Sequence, residues 1–560
     1  MTRVIRALGA IVSAALLLVL AACAGLPTTG PVNPGIAPGE EPPPPDFFYI
    51  PEGPQPGASP EEIVRGFVEA GTGPADNWAT ARLFLSTSLA EVWDPTAGVT
   101  VDERGDRTYA EPSATQVSLM LEADATVNDS GAYETGASGL TTLEFRLAQR
   151  DDGEWRITEA PDGIVLGADQ FPNVYGEYSL MYFDPTWTYL VPDVRWFPTV
   201  NAATWIADAL VAGAPSPWLA EAVRSAVPES VTLSRPSVPV TGGVADVDLS
   251  RSALGLEQDG LDRLYTQLQA SLVGTGVTEV RLTADSTPLA AEAVPVRSTR
   301  VATAPLVLTA EGFGFLSGDD LTPIDGLSAA MTQVDPAVIQ VGVDRDVAAV
   351  LTTGGETVRV ESDGDLLVVD DRDGLIAPTV DPAGFVWSVP RDGPAGVLAT
   401  GPDGVALTVA GAFPESTEIA AFAVSRDGAR LAAIVSANGR LGIEIAGVVR
   451  DADGVPIRLT DPLRLGPVGG AGLSLAWLDD TTVAAVSRSG TDITLVEQPV
   501  GGAGVSLTAP TGTVSVSGAN TDATVRLLSD DGLLFVRRAA NWEQTADGIL
   551  VLATQQGSPE

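Results

Sequence analysis

A short unit of two apolar strands around a turn with Asp or Gly recurs through the second half of the chain, and this repeat restricts the fold most. The clearest copy runs from Phe422 to Ile434, with Arg426-Asp427-Gly428 at its turn. The other copies span residues 341–351, 380–387, 475–486 and 514–527. They recur at roughly 40 to 50 residues, the size of a four-stranded propeller blade. The repeat therefore predicts an all-β propeller domain of about six blades over residues 301–556, with a pair of β-sandwiches as the alternative.

The start of the chain has the pattern of an export signal. Arg3 and Arg6 precede an apolar run from Ala7 to Leu20, and the run leads into Leu-Ala-Ala-Cys, ending at Cys23. A charged segment, a short apolar segment and small residues before a cleavage point are typical of a secretory signal. A cysteine directly after that point forms a lipobox. We therefore predict that residues 1–22 are a signal peptide and that Cys23 is the lipidation site, carrying acyl chains such as palmitate.

An uncleaved transmembrane helix is the alternative interpretation of this start, since residues 7–26 are just long enough to span a bilayer. The lipobox is favoured because the only cysteine of the chain falls at its key position. Residues 23–57 then read as a lipidated cysteine followed by a Pro- and Gly-rich linker, with four consecutive prolines at 42–45. Residues 47–50 are aromatic and apolar, and we expect them to pack onto the first domain.

Residues 58–172 are predicted to form an N-terminal α+β domain. Ser59 and Glu62 make a capping box with Pro60 at the first helical position, and a second helix is expected near 77–85. The period of the apolar residues then changes to two, which predicts strands at 115–123, 143–148 and 155–158. Helices followed by a curved sheet suggest a cone like that of the nuclear-transport-factor-2-like (NTF2-like) domains.

Residues 173–300 are predicted to form a second α+β domain, in which strands and helices alternate. The expected strands are 178–183, 189–195, 244–249 and 277–283, and the expected helices are 202–211, one that begins at Pro217, and 261–273. The chain is thus a multidomain protein of α+β and all-β regions.

The composition excludes several classes of site. The chain has no His, its 31 basic residues are all Arg, and its one Cys is Cys23. A Ser-His-Asp or Cys-His triad, a His or Cys zinc site and a lysine Schiff base are therefore unavailable. A net charge of −42 repels phosphate backbones, so we expect no nucleic-acid partner.

Three Asp-rich segments, 363–365, 370–374 and 451–454, have two interpretations. They offer oxygen ligands for Ca²⁺, but none follows the EF-hand pattern, and Asp-Gly between apolar strands is typical of hairpin turns. Hairpin turns are favoured, and no metal, cofactor-binding or catalytic residue is predicted. With 73 acidic residues, no carboxylate pair of a glycosidase can be nominated. Four tryptophans lie close together in sequence and suggest core packing with one or two interface positions: Trp187, Trp196, Trp205 and Trp218.

The order of lipobox, linker, two α+β regions and propeller resembles the LpqB family of actinobacterial lipoproteins. The middle region is similar to a GerMN domain through residues 180–185, 190–195 and 209–215, where Ala214 is inserted into the usual Leu-Leu-x-Gly-Pro run. Val227-Pro228 and residues 244–249 continue this match. Residues 431 and 477–480 carry the propeller match. The resemblance covers nearly the whole chain.

The resemblance implies a role but no reaction, because no catalytic residues are ascribed to the family. It implies a non-enzymatic lipoprotein, anchored by lipid to the outer face of the cytoplasmic membrane. This protein would bind and modulate the extracytoplasmic domain of an MtrB-type sensor histidine kinase. Through that two-component system it would influence cell-wall homeostasis and division. A receptor for peptidoglycan or another cell-wall polymer is the second hypothesis, and a carboxylate-based hydrolase is the third.

Overall fold

The computed structural model describes residues 51–135, 139–521, 524–539 and 541–559. These residues belong to one compact unit, Phe48–Glu560, so the predicted domain boundaries at 58, 173 and 301 stay predictions. The predicted signal peptide, Cys23 and residues 47–50 lie outside the described residues. Within the described part, every helix is too short or too polar to cross a membrane.

The N-terminal region begins with three helices, α1 (Pro60–Glu69), α2 (Ala75–Arg82) and α3 (Thr87–Val92). The predicted capping box is confirmed, since the Ser59 hydroxyl accepts from the Glu62 N–H and the Glu62 carboxylate accepts from the Ser59 N–H. Helix α2 ends three residues earlier than expected, and its first turn is left-handed, with φ near +50° at residues 76–78.

A seven-stranded sheet follows, and helix α1 packs on it. Its strands are β1 (Gly98–Asp102), β2 (Thr108–Ser113), β3 (Gln116–Asn128), β4 (Tyr133–Thr135), β5 (Leu140–Gln149), β6 (Trp155–Glu159) and β7 (Ile164–Gly167). The order is β6-β5-β3-β1-β7, with β2 and β4 also paired to β3. Only β1 and β7 run parallel among the pairs of this sheet. The α+β class is confirmed, whereas the NTF2-like cone stays a prediction.

The middle region contains two small sheets and two main helices. Its elements are α4 (Phe171–Val174), β8 (Tyr175–Phe183), β9 (Leu190–Pro198), α5 (Ala202–Ala212), β10 (Val240–Thr241), β11 (Val244–Leu249), α6 (Gln258–Leu272), β12 (Glu279–Ala284) and β13 (Thr287–Pro288). Strands β8 and β9 form an antiparallel hairpin, and β10-β11-β12-β13 form the other sheet. Helix α6 is the crossover between the parallel strands β11 and β12.

The helix expected from Pro217 is wrong. Residues 217–222 form turns, in which the Ser216 carbonyl accepts from the N–H groups of Leu219 and Ala220. The chain leaves the helical path because Arg224 forms two backbone hydrogen bonds with Phe183, at 2.7 and 2.9 Å. This bridge to the end of β8 requires an extended backbone at Arg224, which lies only seven residues after Pro217, so a helix from Pro217 could make at most two turns.

The last region is almost entirely β. Its elements are β14 (Leu306–Thr309), β15 (Gly312–Ser317), β16 (Asp320–Thr322), α7 (Leu327–Met331), β17 (Pro336–Val341), β18 (Val347–Thr352), β19 (Thr357–Glu361), β20 (Leu366–Asp370), β21 (Thr379–Val380), β22 (Val386–Ser388), β23 (Leu398–Thr400), β24 (Ala406–Thr408), β25 (Ser416–Val424), β26 (Arg430–Ala437), β27 (Arg440–Arg450), β28 (Pro456–Leu459), β29 (Leu463–Pro467), β30 (Ala471–Trp477), β31 (Thr482–Ser489), β32 (Asp492–Pro499), β33 (Val505–Thr508), β34 (Thr513–Ser517), β35 (Arg526–Ser529), β36 (Leu534–Arg538), β37 (Asn541–Ala546) and β38 (Ile549–Gln555).

These strands form consecutive antiparallel meanders, β21–β24, β25–β28, β30–β33 and β34–β37, as in a propeller, and β29 pairs with β27 beside β28. The remaining strands make an eight-stranded sheet, β16-β15-β14-β38-β17-β18-β19-β20. In that sheet β38 pairs antiparallel with β14 and, over two residues, parallel with β17. The number of blades depends on whether this sheet is divided at β38, so the expected count of about six stays a prediction.

Each of the five sequence repeats coincides with a hairpin of consecutive strands, four of them at the start of a meander and one, residues 341–351, at β17–β18 of the eight-stranded sheet. Residues 422–434, for example, cover the end of β25, the turn and the start of β26, and the Gly428 N–H donates to the Ser425 carbonyl there. Gly428 has φ +74°, so glycine suits the last position of this turn. The repeat therefore identified pairs of consecutive antiparallel strands along this region.

Candidate functional site

Strand β9 carries a buried ion pair. Asp193 and Arg195 are two residues apart in the strand, so their side chains lie on the same face. The Arg195 Nη2 donates to Asp193 Oδ2 at 2.8 Å and the Nε donates to Oδ1 at 3.2 Å. The side chains are 2% and 4% exposed. Burial, assisted by the charge of Asp193, raises the pKa of the neighbouring Tyr182, so its phenol is neutral beside the pair.

The pair binds two further segments of backbone. Ser216 donates its N–H to Asp193 Oδ2 at 2.8 Å and its hydroxyl to Oδ1 at 2.7 Å. Arg195 Nη1 donates to the carbonyl of Ser130 at 2.6 Å, in the turn between β3 and β4. The ion pair therefore connects the middle region to the N-terminal region, and its polar groups are satisfied although they are buried.

Trp196, the next residue of β9, contacts both neighbouring regions. Its indole Nε1 donates to the carbonyl of Gly501 at 2.7 Å, in the turn after β32 of the propeller. Its ring packs against Phe171 and Tyr133, with centroids 4.7 and 5.7 Å away. Its backbone N–H donates to the carbonyl of Gly131 at 2.8 Å. We call Asp193, Arg195 and Trp196, with the backbone groups that they bind, the three-way junction.

Two glycines allow this close approach. Gly131 has φ +80°, and a Cβ there would lie 2.9 Å from the Trp196 carbonyl oxygen. Gly501 has φ +86°, and a Cβ there would lie 3.2 Å from the Val194 carbonyl oxygen. A side chain at Gly131 would therefore displace the backbone of β9.

A second contact joins the middle region to the propeller at the turns after Pro217. The Thr460 hydroxyl donates to the carbonyl of Trp218 at 2.5 Å and accepts from the Gly447 N–H at 2.8 Å. Glu221 forms an ion pair with Arg458. A Cβ at Gly447 would lie 2.9 Å from the Trp218 carbonyl, so the two backbones are in direct contact.

The remaining contacts lie on either side of these. Thr135 of the N-terminal region donates to the carbonyl of Leu465 in the propeller at 2.9 Å. The segment after β13 is held by a salt bridge between Arg297 and Asp344. Further along, the Asn520 side chain forms hydrogen bonds of 2.9 and 3.0 Å with the backbone N–H and carbonyl of Val301. All three regions thus contact one another through polar groups.

The four clustered tryptophans are all partly buried, and they divide between core and interface. Trp196 and Trp218 lie at the contacts between regions. Trp187 lies within the middle region near Arg263 and Arg224, with the Arg263 guanidinium 4.5 Å from its ring centroid. The Trp205 indole donates to the Val200 carbonyl at 3.2 Å, inside the same region.

Two of the Asp-rich segments are hairpin turns, as favoured from sequence. Asp451 Oδ1 accepts from the N–H groups of Asp453 and Val455 between β27 and β28, and Asp363 Oδ1 accepts from the Asp365 N–H between β19 and β20. The third segment follows β20, where Asp370 accepts from Arg372 and from the Ser388 hydroxyl. Nowhere in the described ranges do three or more Asp, Glu, His or Cys residues gather as metal ligands.

Arg426, at the turn of the clearest repeat, joins three of the propeller sheets. Its Nη1 donates to the Ala519 carbonyl at 2.5 Å, and its Nη2 donates to the Trp477 carbonyl at 3.1 Å. Burial lowers the pKa of Arg426 because the guanidinium has lost most of its contact with water. Burial raises the pKa of nearby Asp480, a change that a hydrogen bond from Thr299 opposes.

Sequence reasoning missed the Asp193–Arg195 pair as a connecting element, although it used residues 190–195 as a family motif. The signal was present: an acid and a base on one face of an otherwise apolar strand indicate a buried pair, since isolated charges are rarely buried. The backbone partners at Ser130 and Gly501 had no such signal. Both charges of the pair are neutralised by each other, so the three-way junction is suited to holding the regions together.

Three family models match the chain in order. A model of the LpqB lipoprotein N-terminal domain matches residues 53–172. A model named for sporulation and spore germination (Germane) matches residues 179–290. A model of the LpqB beta-propeller domain matches residues 307–551. The middle model is the GerMN-type domain expected from sequence.

Curated relatives carry the same name. Lipoprotein LpqB of Rhodococcus opacus (strain B4) is 28% identical over 83% of this chain and 84% of the relative. Lipoprotein LpqB of Thermobifida fusca (strain YX) is 32% identical over 47% of this chain, and that match spans less than half of the relative, 44%. Among solved structures, a chain of the nidogen/laminin complex aligns with 10% identity over 45% of this chain and 96% of that chain, with a TM-score of 0.32.

The matches with the LpqB models lie at both ends of the described chain, and relatives such as that of Rhodococcus opacus extend over most of its length. The name of these relatives implies a lipid-anchored membrane protein. The chain belongs to the LpqB family of lipoproteins, with a Germane domain between the family's N-terminal and propeller domains.

Proposed function

We propose that this lipoprotein binds and modulates the extracytoplasmic domain of an MtrB-type sensor histidine kinase. It would act as a non-catalytic scaffold on the outer face of the cytoplasmic membrane and so influence cell-wall homeostasis and division. The observation that carries the proposal is the family itself, whose N-terminal, Germane and propeller models follow one another along this chain.

The three-way junction supports a scaffold role. Arg195 and Trp196 bind backbone of the N-terminal region on one side and of the propeller on the other. A partner that contacts one region is therefore positioned relative to the other two. Coupling of this kind requires well-packed, satisfied contacts between regions, which the buried Asp193–Arg195 pair provides.

The side-chain inventory also favours a binding protein over an enzyme. Without His or Lys, and with Cys23 predicted to carry lipid, general acid–base work falls to carboxylates, Tyr and Arg. Two of the buried carboxylates, Asp193 and Asp370, are bound to arginines. Neither is available to transfer a proton to a substrate.

The wall-receptor hypothesis requires an open aromatic platform for sugar rings. None of the Trp, Tyr or Phe residues in the described ranges is fully exposed, and Trp187, Trp196 and Trp218 lie against protein groups. This arrangement favours the kinase partner. The wall polymer remains the alternative that the following experiment separates.

The experiment depends on Cys23 being the only native cysteine of the chain. Because Cys23 is predicted to be acylated, a cysteine added at an exposed position is a unique thiol. Suitable positions are Ser88 in the N-terminal region, Asp259 in the middle region and Asn438 in the propeller. Intact cells that express each full-length variant are labelled with a membrane-impermeant maleimide photo-crosslinker, irradiated, and analysed by mass spectrometry.

Labelling of intact cells is expected, since it reports the outer face, and at least one position should crosslink to a sensor kinase through its extracytoplasmic domain. The matched control is Cys23→Ser in the same background, which removes the acyl anchor and should lower the yield of kinase crosslinks. Recovery of only peptidoglycan fragments or wall-synthesis enzymes would contradict the kinase proposal and support the wall receptor. Absence of labelling on intact cells would contradict the location.

A further inference from the structure

The N-terminal region has a largely apolar cavity of about 200 Å³ between helix α1 and the sheet, open to solvent on one side. Phe67 of α1, Val99 of β1, Val127 of β3 and Phe145 of β5 line it, and each of these residues is at most 6% exposed. Protein interiors are normally packed without voids of this size, because an empty apolar cavity destabilises the fold in proportion to its volume. A largely apolar space of this size is therefore suited to an apolar ligand.

The buried part of the cavity wall is mostly apolar and has few hydrogen-bonding groups for water. Trp93 lines it, but the indole Nε1 already donates to the Pro161 carbonyl at 3.1 Å. A buried water needs two to four polar partners, and an engineered apolar cavity of about 150 Å³ stays dry and binds benzene. The larger cavity here accommodates an apolar group somewhat bigger than a single six-membered ring.

The polar side chains of the lining are at least partly exposed and mark its opening. Asp162 is exposed, Thr100 and Thr126 are partly exposed, and Asp162 Oδ1 accepts from the Asp94 N–H at 2.9 Å. The start of β1 and the residue before β7 are in close contact here, because a Cβ on Gly163 would lie 2.5 Å from the Gly98 carbonyl oxygen. The carboxylates of Asp94 and Asp162 thus lie near the opening of the cavity, and the protein as a whole is strongly acidic. Both facts disfavour a ligand with a negatively charged head group.

We propose that this cavity binds an uncharged hydrocarbon group, an alkyl chain or small ring, with a neutral polar end at the opening beside Asp162. A membrane lipid and a free apolar metabolite share this chemistry. The inference rests on the cavity alone and is independent of the proposed kinase partner.

The test is calorimetric titration of residues 24–560, which contain the whole compact unit from Phe48 to Glu560. The probes are 1-octanol and sodium octanoate at neutral pH, which differ in the charge of the head group. Expected are one-to-one binding of 1-octanol with a Kd below about 1 mM, and at least tenfold weaker binding of octanoate. No heat from 1-octanol up to its solubility limit, with a correctly folded protein, would overturn the proposal.

Variants locate the binding. Val99→Phe fills the cavity and is expected to weaken octanol binding at least tenfold, whereas Val92→Phe adds the same ring at an exposed position of this region and leaves it unchanged. Leu143→Phe, at a half-buried lining position, is the second filling variant if Val99→Phe does not fold. Equal octanol affinity for a folded filling variant and the wild type would refute the site.

The source of the ligand can be identified from the compounds that co-purify with the protein. Full-length protein purified from membranes is extracted with organic solvent, and the extract is analysed by mass spectrometry. A lipid that is retained by the wild type and lost from Val99→Phe would assign the ligand to the bilayer. A free apolar compound with the same behaviour would assign it to a soluble source. Identical extracts from the two proteins would count against a resident ligand.

Discussion

The indole Nε1 of Trp196 donates a hydrogen bond of 2.7 Å to the carbonyl oxygen of Gly501, which lies 305 residues further along the chain. One donor on a strand of the Germane domain thus satisfies the backbone of a propeller turn. The same ring lies against Phe171 and Tyr133, next to the N-terminal domain. Several consequences of this contact and of its neighbours can be measured.

Trp196→Phe removes the donor and keeps most of the ring, which leaves the Gly501 carbonyl without its partner. We expect a loss of about 1–3 kcal/mol in the free energy of unfolding and faster amide exchange around Gly501. Trp542→Phe is the matched control, because its indole bonds to the Thr508 carbonyl between two neighbouring sheets inside the propeller and does not contact the other domains. If Trp196→Phe and Trp542→Phe increase amide exchange around Gly501 equally, the hydrogen bond from Trp196 does not specifically stabilise the Gly501 turn.

Asp193→Ala leaves the buried guanidinium of Arg195 unpaired. Breaking one partner of a buried pair costs about 3–5 kcal/mol, whereas replacing both partners by apolar residues costs much less. The double variant Asp193→Leu with Arg195→Met should therefore unfold at a higher urea concentration than Asp193→Ala. A double variant that is less stable than the single one would show that the hydrogen bonds to Ser216 and Ser130 outweigh the charge pairing.

Thr460→Val removes the hydroxyl that donates to the Trp218 carbonyl and accepts from the Gly447 N–H. Two buried backbone groups lose their partners, so we expect a loss of about 2–4 kcal/mol. Thr460→Ser keeps the hydroxyl and should restore most of this stability. Limited proteolysis of the turns at 217–222 measures the effect, and equal cleavage of the Val and Ser variants would argue against it.

Asp370 predicts a pH dependence. Burial alone would raise its pKa, but the hydrogen bonds from Arg372 and Ser388 outweigh burial and lower the pKa below its usual value of 3.8. A lowered pKa means that the carboxylate stabilises the folded protein above about pH 4, and that this stabilisation is lost as the pH falls through the folded-state pKa.

Asp370→Asn should therefore lower the stability by about 1.5–3 kcal/mol at pH 7. The difference from wild type should shrink as the pH is lowered below 4. The control is Asp371→Asn, at the exposed neighbouring position. Thermal melts at several pH values measure both variants, and a difference for Asp370→Asn that stays constant down to pH 3 would contradict the assigned pKa.

Local patterns predicted most of the elements, because local interactions form them. The capping box at Ser59 and the turn at Asp427-Gly428 each depend on residues within a few positions. The helix expected from Pro217 failed because a distant strand end, at Phe183, bonds to Arg224 and overrides local helical preference. Resemblance to a family supplied the order of the domains, which periodicity alone left open.

The three-way junction was partly visible. Asp193 and Arg195 alternate on an apolar strand, which indicates a buried pair, yet nothing in the local pattern points to Ser130 or Gly501 as their neighbours. The apolar cavity had no signal, because its lining residues such as Val99 and Phe145 have the same pattern as any packed sheet. A cavity arises from how side chains pack in three dimensions, and it does not change the periodicity of apolar residues in the sequence.

Strand β38 has a consequence for how the protein is made. It pairs with β14 on one side and with β17 on the other, so Leu306 meets Ala553 across the sheet. In a chain that is synthesised from its N-terminus, the earliest propeller strands keep an open hydrogen-bonding edge until β38 is present. Only a chain that extends through residue 555 can complete this pairing. Shorter chains keep the edge open and are exposed to proteolysis and aggregation, so the last strand makes the stability of the propeller depend on its complete synthesis.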